Sequence, residues 1–439
     1  MKLCSWILAA AGLAGAASPL HAGHEWGQWR GPNFDGSTEA ANLPETVDVK
    51  NPAWTTQLPG AGNGSPVVFG DRVFASCVDP QSAKLLGVCV SRTDGHILWS
   101  KQIGDGYTKS DRNNAASPSA VTDGKSVYFF FSTGDLAAFD VQGNPLWQRN
   151  IQKDHGTFNV LWIYSSSPLL YKGKLYVQVI HRNVKSDGLK GGPGGVDSYL
   201  LAIDPATGKD IWLVTRPSDA FAESRESYAT PTPFEHDGKS EIMLVGGDCV
   251  TCHDAETGKE LWRAGGWNPT HIAHWRLVPS ITCDAKDGLV FACAPKNGPV
   301  MAITKGGVGD VTATAFAWKS DPKATGITSD CCVPLMYKGD LYVLNGDGKK
   351  ILFRLDPKTG EKKSSVDLGG KASFRASPTA GDGKIYCMNE HGDVWVIDAD
   401  SLKILSQTSL DQKPSRGSIA LTDGEIIIRS GEKLFAFKK

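Results

Sequence analysis

A polar, Gly-containing turn followed by a short run of apolar, β-branched and aromatic residues recurs along the whole chain. It stands at Gly70-Asp71-Arg72-Val73-Phe74, Gly124-Lys125-Ser126-Val127-Tyr128, Gly173-Lys174-Leu175-Tyr176 and Gly288-Leu289-Val290-Phe291. Further copies are Gly339-Asp340-Leu341-Tyr342, Gly383-Lys384-Ile385-Tyr386 and Gly424-Glu425-Ile426-Ile427, with a looser one at Gly238-Lys239 before Ile242-Met243-Leu244-Val245. The copies are spaced roughly 40 to 65 residues apart, the range of propeller blades. A Ser-Pro pair commonly opens another strand before each copy: Ser65-Pro66, Ser117-Pro118, Ser167-Pro168 and Ser377-Pro378. Proline is tolerated there because the hydrogen-bond ladder has not yet begun. A third strand follows, ending in Asp, then a Gly turn, then Trp. Asp204-Pro205-Ala206-Thr207-Gly208 leads to Trp212, and Asp254-Ala255-Glu256-Thr257-Gly258 leads to Trp262. Gly95 leads to Trp99 and Gly143 to Trp147 at the same offset. Asp and Gly suit a tight hairpin, and a Trp on the next strand can bury a large apolar area against the neighbouring unit.

The pattern predicts an all-β fold: an eight-bladed β-propeller of four-stranded antiparallel blades. The last unit, Ser418 to Lys439, holds three strands and lacks a fourth with its Trp. Ala53-Trp54-Thr55-Thr56-Gln57-Leu58 has that form, so an N-terminal strand is expected to complete the last blade and close the ring. Three units depart from the repeat. The sixth has Ser364 where Trp is expected, the seventh reads Asp398-Ala399-Asp400-Ser401 with no Trp, and the fifth replaces its turn by Lys305-Gly306-Gly307-Val308-Gly309 and reaches Trp318 late. The contact between the sixth and seventh blades is therefore expected to be the weakest.

The start of the chain, Met1-Lys2 then an apolar stretch from Leu3 to Ala17 and small residues to Ala22, reads as a secretory signal cut after Ala22. The domain plan is then residues 1–22 signal peptide, 23–52 N-terminal extension and 53–439 a single eight-bladed propeller, in the periplasm or secreted. Cys4 lies at the start of the apolar stretch rather than just after it, so no lipid anchor is expected, and no second apolar run predicts a membrane span. Net charge is −1, which argues against a nucleic-acid partner. Nine cysteines would remain after cleavage, an odd number, so at least one thiol stays free or pairs between chains.

The Asp-x-x-Thr-Gly-Lys-x-x-Trp units at 204–212 and 254–262, with the opening Trp26-Gly27-Gln28-Trp29-Arg30-Gly31-Pro32-Asn33, resemble the pyrroloquinoline-quinone-type β-propeller superfamily. The resemblance covers nearly all of the chain beyond the signal. It includes eight-bladed quinoprotein dehydrogenases and the BamB family of outer-membrane protein assembly, so it implies the fold more strongly than a function.

Several groups carry candidate chemistry. Cys249-Val250-Thr251-Cys252-His253 matches a c-type haem attachment motif. It also occupies the third strand of the fourth blade, where residues three apart face opposite sides, so haem c is not expected. Cys331-Cys332 are adjacent; by resemblance to quinoprotein dehydrogenases they could form a vicinal disulfide that stacks on the quinone, while by themselves they read as two small buried residues. The openings of the inner strands are expected to ring one mouth of the channel. They carry Arg112, Asn113, Asn114, Trp162, Tyr164, Arg225, Glu226, Tyr228, His274, Trp275, Arg276, Asp330, Cys331, Cys332, Arg375 and Arg416. Converging guanidinium groups would attract carboxylates or phosphates; alternatively they tie loops to backbone carbonyls. The run Lys190-Gly191-Gly192-Pro193-Gly194-Gly195 lacks a phosphate-loop setting and reads as an insertion in blade three. No metal site is assigned, His271 and His274 being a weak pair.

Two functions follow. The first is a secreted or periplasmic binding or scaffold propeller, expected to be a monomer, that holds a protein, peptide or saccharide at its polar, arginine-rich mouth. The second, implied by the resemblance, is a quinoprotein dehydrogenase oxidising an alcohol or sugar. Its pyrroloquinoline quinone would sit in the same mouth, with Ca²⁺ on oxygens such as those of Glu226 or Asn114. About 52 residues per blade leave little for the insertions that cover such a cofactor, so the reading leans away from an enzyme.

Overall fold

The structure is a computed structural model and describes residues 24–106, 112–183 and 197–439. The expected signal peptide and the Gly-rich run at 190–195 lie outside the described residues. Eight sheets of sequentially paired antiparallel strands form the eight blades. Blade 3 is representative, with Leu169–Tyr171 innermost, then Lys174–Val179, Tyr199–Ile203 and Asp210–Thr215 outermost. Every residue of Tyr199–Ile203 is buried because neighbouring blades cover both its faces, whereas Asp210–Thr215 alternates toward solvent. The core is accordingly divided into clusters lying between blades. Among the described residues no helix is long and apolar enough to cross a membrane.

The recurrent Trp and the recurrent Gly turn are two halves of one contact. The Nε1–H of Trp54, Trp99, Trp147, Trp212 and Trp318 donates to a carbonyl in the next blade's turn: that of Arg92, Val141, Pro205, Glu256 and Pro357, at 2.6–3.1 Å. Each indole lies over that turn's glycine. A Cβ on Gly208 would sit 2.6 Å from the Trp147 ring. The turn thus needs glycine for its positive φ and also for the space the ring takes.

Where the sequence departs from the repeat, the contact changes. Blade 7 carries Leu402 at the glycine position, φ 57°, and its buried side chain joins the apolar cluster between blades 6 and 7. Arg354 and Lys338 of blade 6 reach Asp400 in the same turn. In blade 5 the altered turn does more than delay Trp318. Gly309–Asp310 pairs in parallel with Trp262–Arg263, so blade 4 has five strands rather than the expected four.

The last blade closes as expected. Trp54–Gln57 pairs antiparallel with Lys433–Ala436, Trp54 opposite Ala436. Residues ahead of this strand cross beneath the channel. The Trp26 and Gly27 carbonyls accept from Val68 and Thr122 at 2.9 and 2.8 Å, and the Gln28 amide exchanges two hydrogen bonds with Leu170. The buried Arg30 guanidinium donates to the Pro334 and Pro378 carbonyls, the Gly36 carbonyl accepts from Ala380 and the Ala41 carbonyl from Gly424. These partners belong to blades 1, 2, 3, 6, 7 and 8, so one segment stitches opposite sides of the ring and stoppers the channel.

Candidate functional site at the channel mouth

Above the stopper lies a blind cavity of about 500 Å³, with Trp29 of the stopper among its lining residues. Its lower wall is a belt of hydroxyls. The backbone N–H of Ser65 donates to Ser119 Oγ, Ser119 to Ser167, Ser167 to Thr230 and Thr230 to Ser280, at 2.8–3.0 Å. Val333 then donates to Ser377, Ser377 to Ser418, and Ser418 back to Ser65, at 2.8–3.1 Å. The belt is interrupted once, where Val333 stands in place of a hydroxyl residue. In blade 2 the belt residue is Ser119. The Ser117-Pro118 frame read from the sequence is two residues out of step with the other blades; Ser117 instead accepts from the Asn114 backbone N–H in its own turn.

The upper wall carries the charges. Arg276 grips Asp330 with two nitrogens at 3.0 and 3.3 Å and lies 3.7 Å from Glu223. Burial raises the Asp330 pKa, but the Arg276 charge overrides it and holds the carboxyl below its usual range. Arg375 pairs with Asp347 at 2.8 Å and contacts Cys331 Sγ at 2.7 Å; Arg416 pairs with Glu390 at 2.8 Å. Burial pushes the Cys331 thiol up to about 12 despite Arg375 beside it, so it is protonated at neutral pH. Trp162 projects its indole N–H to Glu223 at 3.1 Å, and Arg112 stands over its ring. Tyr228 donates to Glu226 and accepts from the Trp162 backbone N–H, both at 2.9 Å, which fixes the Trp162 loop.

Of the residues expected at the mouth, Arg112, Asn113, Trp162, Tyr228, Arg276, Asp330, Cys331, Arg375 and Arg416 line the cavity. The others do not. Tyr164 is buried between Phe130 and Phe158 with its hydroxyl on the Gln178 carbonyl. Asn114 accepts from Ala116 within its own turn and lines a neighbouring groove instead. Arg225 is buried in a single 3₁₀ turn, and Glu226, fully buried, pairs with Arg182 at 3.0 Å. The Trp275 backbone N–H donates to Ser224 and the residue lies outside the cavity, as does the exposed His274. Cys332 turns its sulfur into the core, toward the Phe374 and Ala376 carbonyls at 3.4 Å. The chain bends through residues 330–332, which leaves Cys331 on the cavity and Cys332 in the core. All nine described cysteines are free thiols.

Arg276, Arg375 and Arg416 are each matched to a carboxylate on another loop. Glu223, Asp347 and Glu390 gave no signal, because nothing in their spacing ties them to their partners. Trp29 and the belt were likewise missed as cavity residues. The haem motif is folded into the inter-blade core. Cys249, Cys252 and His253 are buried in the strand Cys249–Asp254, with Cys252 opposite Trp262 and a register shift before His253. His253 bonds the Gly258 carbonyl and the Thr251 hydroxyl, and burial pulls its pKa down to about 4. A porphyrin cannot reach these three groups without opening the blade.

Residues 48–184 and 196–439 match the family described as outer membrane protein assembly factor BamB. The quinohemoprotein alcohol dehydrogenase ADH-IIG of Pseudomonas putida is 26% identical over 391 residues, which is 86% of this chain and 45% of that protein. The chain therefore spans less than half the length of that relative. A europium-containing methanol dehydrogenase superposes with a TM-score of 0.67 at 12% identity, covering 93% of this chain and 90% of that one. BamB from Moraxella catarrhalis superposes with a TM-score of 0.59 at 12% identity, covering 88% and 96%. The shared eight-bladed fold and the match across both halves of the ring place this chain in the PQQ-type β-propeller family described as outer membrane protein assembly factor BamB.

Proposed function

We propose that this chain is a binding propeller of the periplasm or cell exterior, one that holds a small polar ligand in the stoppered mouth of its channel. The observation that supports this reading most is the blind cavity itself: its volume is that of a small-molecule pocket, and its wall is built from fixed ion pairs and an ordered hydroxyl belt. Preorganised polar walls favour binding because little side-chain freedom is lost when the ligand arrives. Among the described residues no histidine lines the cavity, so its serines have no imidazole base beside them. Membership in a family described by an outer-membrane assembly factor favours a cell-envelope address.

The dehydrogenase reading draws its support from the alcohol dehydrogenase relative, but the residues assigned to its cofactor do not come together. Glu226 is spent on Arg182, and Asn114 on its own turn. Asp330, Cys331 and Asp347 bring three potential ligand atoms within 4.8 Å of one another. One of them is a protonated thiol, which suits a hard, oxygen-seeking Ca²⁺ poorly, and both carboxylates already face guanidinium groups. A quinone tricarboxylate would find Arg276, Arg375 and Arg416 engaged with carboxylates.

The test is a thermal-shift and tryptophan-fluorescence titration of the purified chain against small polar compounds, pyrroloquinoline quinone with Ca²⁺ included. Saturable binding that weakens about tenfold or more in Arg276→Ala and Arg375→Ala is expected, the loss typical of a charged hydrogen-bond partner. Affinity unchanged in both variants would reject the mouth. Turnover of an alcohol with the quinone and Ca²⁺ would replace binding by the dehydrogenase reading.

A further inference from the structure

Resting on the binding reading, we infer that the mouth is one end of a longer cleft built for a linear, neutral oligosaccharide. A second cavity of about 730 Å³ adjoins the first and shares Asn63, Asn113 and Arg416 with it. It runs over the seam where the N-terminal strand meets the last blade, past Gln57, Asn114 and Gln412. The cleft thus carries indoles in its first cavity, and in its second the amides of Gln57, Asn114 and Gln412 beside Lys413, Glu432 and Lys433.

The chemistry of the wall selects among ligands. Arg276 and Asp330 present a guanidinium fork and a carboxylate side by side, already neutralised by each other. Such a pair offers a donor next to an acceptor. That suits adjacent hydroxyls, which both give and take hydrogen bonds, better than it suits an anion, which would have to displace the carboxylate. In the belt each hydroxyl oxygen accepts one backbone N–H, which leaves its own O–H to turn toward a ligand oxygen. The same bonds consume those backbone N–H groups, so an extended peptide has no ladder to join along the belt. Two indoles, Trp29 and Trp162, line the blind end, and the flat apolar face of a sugar ring can cover an indole while its hydroxyls reach the wall.

The test is isothermal titration of the full chain with glucose, cellobiose, cellotetraose and maltotetraose, alongside tetragalacturonate and tetra-alanine. The expected result is that one neutral series binds, with affinity rising about tenfold or more from single ring to tetrasaccharide, a difference titration resolves easily. Trp29→Ala should lose binding of every length, and Trp29→Phe, which keeps an aromatic face, should recover most of it. Gln57→Ala with Gln412→Ala should lose the gain with length and leave single-ring binding in place. Tighter binding of tetragalacturonate or tetra-alanine would overturn the saccharide assignment and leave the binding reading standing. Failure of both neutral series to bind would also overturn it, whether or not another polar compound occupies the mouth.

Discussion

Glu226 illustrates how a residue can matter to the mouth without reaching it. Its carboxylate accepts from the Leu161 N–H and the Tyr228 hydroxyl, and so braces the loop that presents Trp162. Burial pushes its pKa up from 4.5 to about 7, against the pull of Arg182 and these hydrogen bonds. The folded chain therefore holds this proton more tightly than the unfolded chain does. The stability this group contributes is complete below pH 4.5 and is lost as pH rises through about 7. In Glu226→Gln the fall in Tm across that window should be smaller than in the wild type; equal falls would contradict the shift. The basic side of the mouth was legible because arginines recur at equivalent places in the repeat. Its acidic side was not, since Glu223, Asp347 and Glu390 meet their partners only through the ring. One-residue phase decides the rest: Cys331 faces the cavity and Cys332 the core, and a repeat read without a structure does not resolve that step.

At the scale of the strand and its turn, the Trp–Gly contact accounts for the repeat. Gly173 and Gly208 both have φ of +71°, but a Cβ on Gly173 meets nothing within 4 Å, whereas one on Gly208 meets the Trp147 ring at 2.6 Å. Gly173→Ala should cost about 1–2 kcal/mol, the strain of a left-handed alanine. Gly208→Ala should cost about 1–3 kcal/mol more, because the indole must move out of a packed interface. Urea denaturation of the two variants separates strain from docking, and equal losses would remove the Trp–Gly contact from the account. The hairpins, the turns and the Trp positions were readable because the same sterics recur in most of the blades. Two features were not. The belt position in blade 2 was obscured by a Ser-Pro pair two residues early. The dipeptide Gly309–Asp310, added to blade 4, is too short to leave a periodic signal.

The whole molecule depends on its N-terminal region twice, once through the strand that closes blade 8 and once through the stopper. Closure was legible as an arithmetic gap, three strands at one end and a lone strand with its Trp at the other. The stopper was not, because residues 24–41 form no regular element and bond to six blades one contact at a time. Trp54→Ala removes the docked indole from the closing strand and should destabilise the ring by about 3–5 kcal/mol, the usual cost of deleting a buried Trp side chain, read as a lowered urea midpoint.

The most direct test of a blind, stoppered channel is amide hydrogen exchange in the full-length chain. The N–H groups of Val68, Thr122 and Ala380 end on carbonyls of the crossing segment, those of Trp26, Gly27 and Gly36. They should exchange as slowly as the mid-strand amides of their own blades, and in Arg30→Ala, which removes the ties to the Pro334 and Pro378 carbonyls, they should exchange faster while those mid-strand amides stay protected. Exchange of Val68, Thr122 and Ala380 in the wild-type chain at the rate of exposed loops would mean that the channel is open from end to end, and the binding cavity as described would not exist.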